Sequence, residues 1–171
     1  MLTNEMYFYT ATIHEWRHLI GKHQLQHIIL DTFTFLSEKK RIRVYGFVIM
    51  PNHLHVIWTM LKTTNKESAV SSFMKYTAHR FQEYLQQNVP WELPYFKVNL
   101  PDRKYNFWQR GSDQFLLYNT ATIAQKLNYI HENPLQEHWQ LANEPALYPY
   151  SSAMYYEQGV KNYEFLHDYR D

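Results

Sequence analysis

No cysteine occurs in the 171-residue chain, which excludes disulfide frameworks, thiolate zinc sites and a cysteine nucleophile. Glycine is scarce, at four residues, and the formal net charge is only +1, from 17 Lys+Arg against 16 Asp+Glu. That balance argues against a broadly basic duplex binder, because phosphate neutralisation needs many cations on one face; a local basic groove stays open. No stretch approaches about 18 uninterrupted apolar residues, and no positive segment followed by an apolar one opens the chain. These absences lead to the expectation of a soluble, cytoplasmic protein without membrane contact.

What is present is aromatic. Aromatic residues make up 18% of the chain, including 15 Tyr, and 10 His accompany them. Such rings serve either as core packing or as stacking surfaces for unpaired bases. With 45% hydrophobic residues the chain can bury a real core. Its length fits one domain over residues 1–171, with a short C-terminal tail.

Periodicity supplies the elements. Tyr7–Ile13 alternates as a strand, and the three- and four-residue spacing from about Trp16 to Leu36 predicts a helix. Ile42–Met50 and His53–Met60 are β-rich runs around Pro51-Asn52, an antiparallel pair on a tight turn. Leu61–Ala69 is polar and loop-like, and Ser71–Gln87 is an amphipathic helix with Met74, Ala78, Phe81 and Leu85 on one face. Asn88–Asn106 holds three prolines without a period and reads as a long loop. Phe107–Leu117 predicts a strand interrupted at Gly111. A helix capped by Asn119 or Thr120 then runs to about Asn133, before Pro134, and a short helix follows over Ser151–Gln158. The order gives an α+β fold, a mostly antiparallel sheet with helices packed on it.

Two segments carry chemistry. In a strand, His53 and His55 project from one face about 6–7 Å apart, so their rings can converge on one ion, while Leu54, Val56 and Trp58 point the other way. On the helix ending at Pro134, Tyr129 and Asn133 are four residues apart and share a face if the helix persists to Asn133. The residue before a proline is biased away from helical geometry, which places Asn133 at the margin. Together these side chains offer a phenol nucleophile and a nitrogen/oxygen donor set for a divalent cation.

The motifs MPNHLHVIW, FWQRG, LNYIHENPL and YPYSSAMYY, in this order, resemble the REP-associated tyrosine transposases, relatives of the single-tyrosine HUH transposases of small insertion sequences. The resemblance spans nearly the whole chain. It departs after Gly111, where relatives often carry an aromatic and this chain has Ser112-Asp113-Gln114. It implies a ferredoxin-like (RRM-like) antiparallel sheet flanked by helices. It also implies Tyr129 as nucleophile and His53, His55 and Asn133 as ligands of Mg²⁺ or Mn²⁺; relatives often carry Gln at the Asn133 position. The implied activity is cleavage and rejoining of single-stranded DNA near palindromic hairpins through a 5′-phosphotyrosine, by a monomer or a homodimer. Candidate phosphate contacts are Lys75, His79 and Arg80 on the polar side of the second long helix, with Arg103, Lys104 and Arg110 near the long loop. Three other readings share these residues: an HUH replication initiator or relaxase, a non-catalytic nucleic-acid-binding regulator, and a histidine-metal hydrolase that uses water.

Overall fold

The computed structural model describes residues 5–61 and 66–171; residues 62–65 of the polar Leu61–Ala69 stretch lie outside the described residues. Strands β1 (Met6–Thr12), β2 (Ile42–Ile49), β3 (His53–Met60) and β6 (Asp113–Leu117) form an antiparallel sheet in the order β2-β3-β1-β6. Helix α2 (Gln26–Glu38) links β1 to β2, and α3 (Ala69–Asn88) lies between β3 and β6. Each connection skips one strand position, the split βαβ pattern of ferredoxin-like sheets. The expected α+β architecture is therefore what the chain adopts.

Both faces of the sheet are covered, which is why β3 is buried along nearly its whole length. One face carries Tyr9, Val44, Phe47, Leu54, Val56 and Trp58 and packs against α2 and α3. Phe33 sits between Phe47, Phe73 and Trp58, with ring centroids 5.4–6.1 Å apart. Burying each such ring contributes on the order of 2–3 kcal/mol. The buried stripe of α3 is Phe73, Thr77, Phe81 and Leu85, while Met74 and Ala78 are only partly buried. Thr77 sits in this apolar stripe because its Oγ1 accepts a 2.8 Å bond from the indole of Trp108.

The other face packs against α4 (Thr120–Glu132) through Phe8, Val48, Ile57, Ile123, Leu127 and Ile130. Asn119 caps α4 by accepting a 2.9 Å bond from the Thr122 amide. The register of β2 against β3 shifts between Val44 and Gly46. A Cβ at Gly46 would collide with Leu127 Cδ1 and approach Ile130 Cδ1 to 3.4 Å, so α4 approaches β2 as closely as the missing side chain permits. His131 locks the helix beside the same glycine, through a 2.7 Å bond to Ser152 Oγ, which itself accepts from the Phe47 amide at 3.0 Å.

Two sequence expectations are corrected. The single helix over Trp16–Leu36 is instead a 3-10 turn, a four-residue α1 (Leu19–Lys22) and α2, broken where Gln24 takes a left-handed conformation (φ 55°). The proline-rich stretch is not a plain loop. Pro90–Phe96 is a 3-10 segment, and β4 (Lys97–Leu100) pairs with β5 (Arg103–Tyr105) in a small irregular ladder. Phe107–Leu117 is interrupted at Gly111 (φ 80°) as expected, with an isolated bridge of Trp108 to Ile13 before the break and β6 after it. The C-terminal segment, including α5 (Ala153–Gln158), is tied to the sheet: Ser151 bridges Val48 and the Tyr148 hydroxyl donates to Ile49 O at 2.6 Å.

Candidate active site

Strand β3 delivers His53 and His55 to the face that α4 covers, and their ring centroids lie 4.8 Å apart. Both are buried, at 8% and 6% exposure. Each is oriented by a partner at Nδ1. His53 Nδ1 lies 2.7 Å from Asn52 Oδ1, and the Asn52 amide nitrogen donates to Trp16 O at 3.3 Å, so the oxygen faces the ring. An amide oxygen only accepts, so His53 Nδ1 carries the proton and Nε2 keeps its lone pair. His55 Nδ1 lies 2.8 Å from the hydroxyl of Thr10, its direct neighbour across the ladder. With Nδ1–H donating to that hydroxyl, His55 likewise presents a free Nε2.

Burial, with help from the nearby His138, lowers His53 to about 4. Burial, His53 and Lys126 lower His55 to about 3. Both imidazoles are therefore neutral at physiological pH, the form that binds a metal.

Helix α4 lays Tyr129 over this pair. Its ring is 5.5 Å from His55 and 6.2 Å from Phe8, which stacks on His55 at 5.3 Å. Tyr129 is 52% exposed, so a bulky substrate can reach it. Asn133 keeps helical geometry (φ −55°, ψ −45°) despite the following proline, because Pro134 occupies the first turn of a 3-10 continuation over Asn133–Leu135. Asn133 is thus one turn beyond Tyr129 on the same helix face. It is 7% exposed, and its Oδ1 is a buried acceptor without a hydrogen-bond partner among the described residues. An orphaned buried acceptor costs on the order of 1–3 kcal/mol, which a cation would offset. Among the described residues no group of three or more His, Asp or Glu comes together. Neutral imidazole nitrogens and a buried amide oxygen are donor types that a divalent ion accepts.

Two further groups frame the cluster, and a third histidine lies apart from it. Trp139 stands 6.1 Å from His53, Lys126 reaches the rings of Phe8 and Tyr129, and His131 is buried against Ser152. Of the residues missed by sequence reasoning, Thr10 and Asn52 had a usable signal. Thr10 follows once β1 is registered on β3, and Asn52 directly precedes the first histidine.

The candidate phosphate contacts divide. Lys75, His79, Arg103 and Arg110 line one groove of about 600 Å³ between α3 and the segment from Asp102 to Ser112. Arg80 and Lys104 do not line it; Arg80 bonds the Tyr76 hydroxyl at 3.2 Å, and Lys104 lies over the Tyr105 ring. The groove cations are paired: Lys75 with Glu67, His79 with Glu83 at 3.1 Å when protonated, and Arg103 and Arg110 with Asp102 at 3.0 and 3.7 Å.

The buried histidines have a consequence for stability. Burial also lowers His131 to about 4. An unfolded chain protonates these rings near pH 6.5, whereas the folded one resists until about 4 or below. In that window the unfolded state binds more protons, so stability is fully present above pH 6.5 and drains away as pH falls towards 4. The limiting loss is on the order of 3 kcal/mol per histidine. Urea unfolding of the metal-free protein from pH 7.5 to 5 is expected to show a falling midpoint. A constant midpoint would contradict the burial.

No protein-family model matches the chain, and no curated protein does. Among solved structures, the structure of a REP-associated tyrosine transposase bound to a REP hairpin is similar, with a TM-score of 0.60 and 19% identity. The match covers 98% of this chain and 88% of that one. A second structure, a candidate transposase from Deinococcus radiodurans, aligns with a TM-score of 0.45 and 12% identity over 75% of this chain and 90% of that one. The first similarity establishes a shared fold with a member of the family that the sequence motifs resemble.

Proposed function

We propose that the chain is a metal-dependent DNA transposase/endonuclease of the tyrosine HUH type, which cuts and rejoins single-stranded DNA beside hairpins. The observation that carries this reading is the Tyr129 ring packed 5.5 Å from His55, on a helix whose next turn holds a buried amide oxygen without a partner among the described residues. The fold shared with a transposase bound to a REP hairpin supports it.

His53, His55 and Asn133 would hold Mg²⁺ or Mn²⁺. When bound, the ion would supply Lewis-acid stabilisation of charge on the scissile phosphate. The Tyr129 hydroxyl attacks phosphorus, forming a tyrosyl ester to the 5′ side, and the bond to the 3′ oxygen breaks. The phenolic proton ends on the departing 3′-hydroxyl, so no proton or electron is left over. One phosphodiester replaces another, which lets the free 3′-hydroxyl of a second strand reverse the step without ATP. Asn52 holds His53 in one tautomer, and Thr10 fixes the orientation of the His55 ring, so the imidazoles need little reorganisation when charge develops. A single strand bends into the half-open face beside Tyr129 more readily than a stiff duplex.

The test is direct. A labelled strand carrying a hairpin and flanking single-stranded DNA is incubated with protein and Mn²⁺, then run on a denaturing gel. A labelled band at protein mass that disappears with chelator is the expected result. Cleavage without that band would transfer the site to a water nucleophile, and binding without cleavage would make the protein a regulator.

A further inference from the structure

Lys126 lies one helical turn before Tyr129. Its ammonium is 5.0 Å from the centre of the Phe8 ring, 5.5 Å from Tyr129 and 6.0 Å from Phe115. Unlike the paired cations of the groove, it has no carboxylate within 4 Å among the described residues. Three ring faces hold the cation in place without neutralising it, which leaves it ready for an anion. Phe115 is the second half of the arrangement. It sits on β6, an edge of the four-stranded sheet, directly across from Phe8, and is 53% exposed. A phenyl face left in water beside a positive charge suits a heterocyclic base with its phosphate.

We propose that Phe115 and Lys126 form a nucleotide subsite on the tyrosine side of the reaction centre, with a base stacked on Phe115 and a backbone phosphate on Lys126. The subsite rests on the reading of the centre as one that acts on single-stranded DNA. It holds the nucleotide next to the bond that Tyr129 attacks, and it accepts any base, since every base has a stacking face. The groove beside α3 does not perform this role: it is lined by Tyr9, α3 and the segment from Asp102 to Ser112, on the face of the sheet opposite α4.

Binding of a labelled oligo-dT strand of about 12 nucleotides, and of an abasic strand with the same backbone, is measured by anisotropy in a Tyr129→Phe background. Phe115→Ala is expected to weaken the dT strand on the order of tenfold and leave the abasic strand unchanged, with Phe115→Trp restoring affinity. Lys126→Gln is expected to weaken both strands and reduce the salt slope by about 0.7, with Lys126→Arg restoring it. Equal losses on both strands for Phe115→Ala, or an unchanged salt slope for Lys126→Gln, would overturn the subsite. Normal covalent adduct formation alongside those negative results sinks the subsite alone. The expected binding changes without any adduct from unsubstituted protein sink the cleavage reading alone.

Discussion

Tyr129→Phe is expected to abolish the covalent protein–DNA product, lower strand cleavage by on the order of 10⁴-fold, and leave hairpin binding within a fewfold of normal. The substitution removes one oxygen from a residue that is already half exposed. The ring contacts with His55, Phe8 and Lys126 need only the aromatic face, so α4 keeps its seat. Because the fold survives, loss of the adduct reports on chemistry rather than on stability. A persisting adduct would move the nucleophile to another tyrosine, and with 15 in the chain that outcome is readily mapped by peptide mass.

Asn133→Leu is expected to separate stability from activity in opposite directions. Among the described residues its Oδ1 is buried without a partner, so an apolar side chain of similar size removes an unsatisfied acceptor and raises the unfolding free energy by about 1 kcal/mol in the absence of metal. Cleavage, by contrast, is expected to fall on the order of 100-fold, and Mn²⁺ should no longer raise the melting temperature. In the unsubstituted protein, Mn²⁺ at about 100 times its dissociation constant adds roughly 2.7 kcal/mol. Differential scanning calorimetry with and without Mn²⁺ reads both effects. A variant that is destabilised without metal yet still stabilised by Mn²⁺ would remove Asn133 from the donor set.

Much of this arrangement is visible in the sequence, and the reasons differ from residue to residue. His53 and His55 share a face because strand geometry alternates, and the β-rich runs around Pro51-Asn52 leave no doubt that they form a strand pair. The start of α4 was legible to within a residue, with Asn119 or Thr120 as its cap, and Asn119 is the one that caps it. The position of Asn133 was not, because the local rule for residues before proline points away from a helix, and only the 3-10 continuation restores it. The break between α1 and α2 hides for a similar reason: the apolar spacing runs through Gln24, whose left-handed backbone carries no sequence mark. Lys126 was invisible as a functional group, since its three aromatic neighbours come from β1, β6 and α4 and meet only in the folded sheet.

Gly46 and Leu127 act together as a spacer. Their combined bulk sets how far the helix bearing the phenol stands from the sheet, in which the neighbouring strand β3 bears the imidazoles. Neither residue touches the chemistry, yet a larger side chain at one must be matched by a smaller one at the other if the reacting groups are to keep their separation. Drift at these two positions over evolutionary time would therefore be paired, and an engineer wishing to shift the nucleophile by tenths of an ångström would turn this dial first.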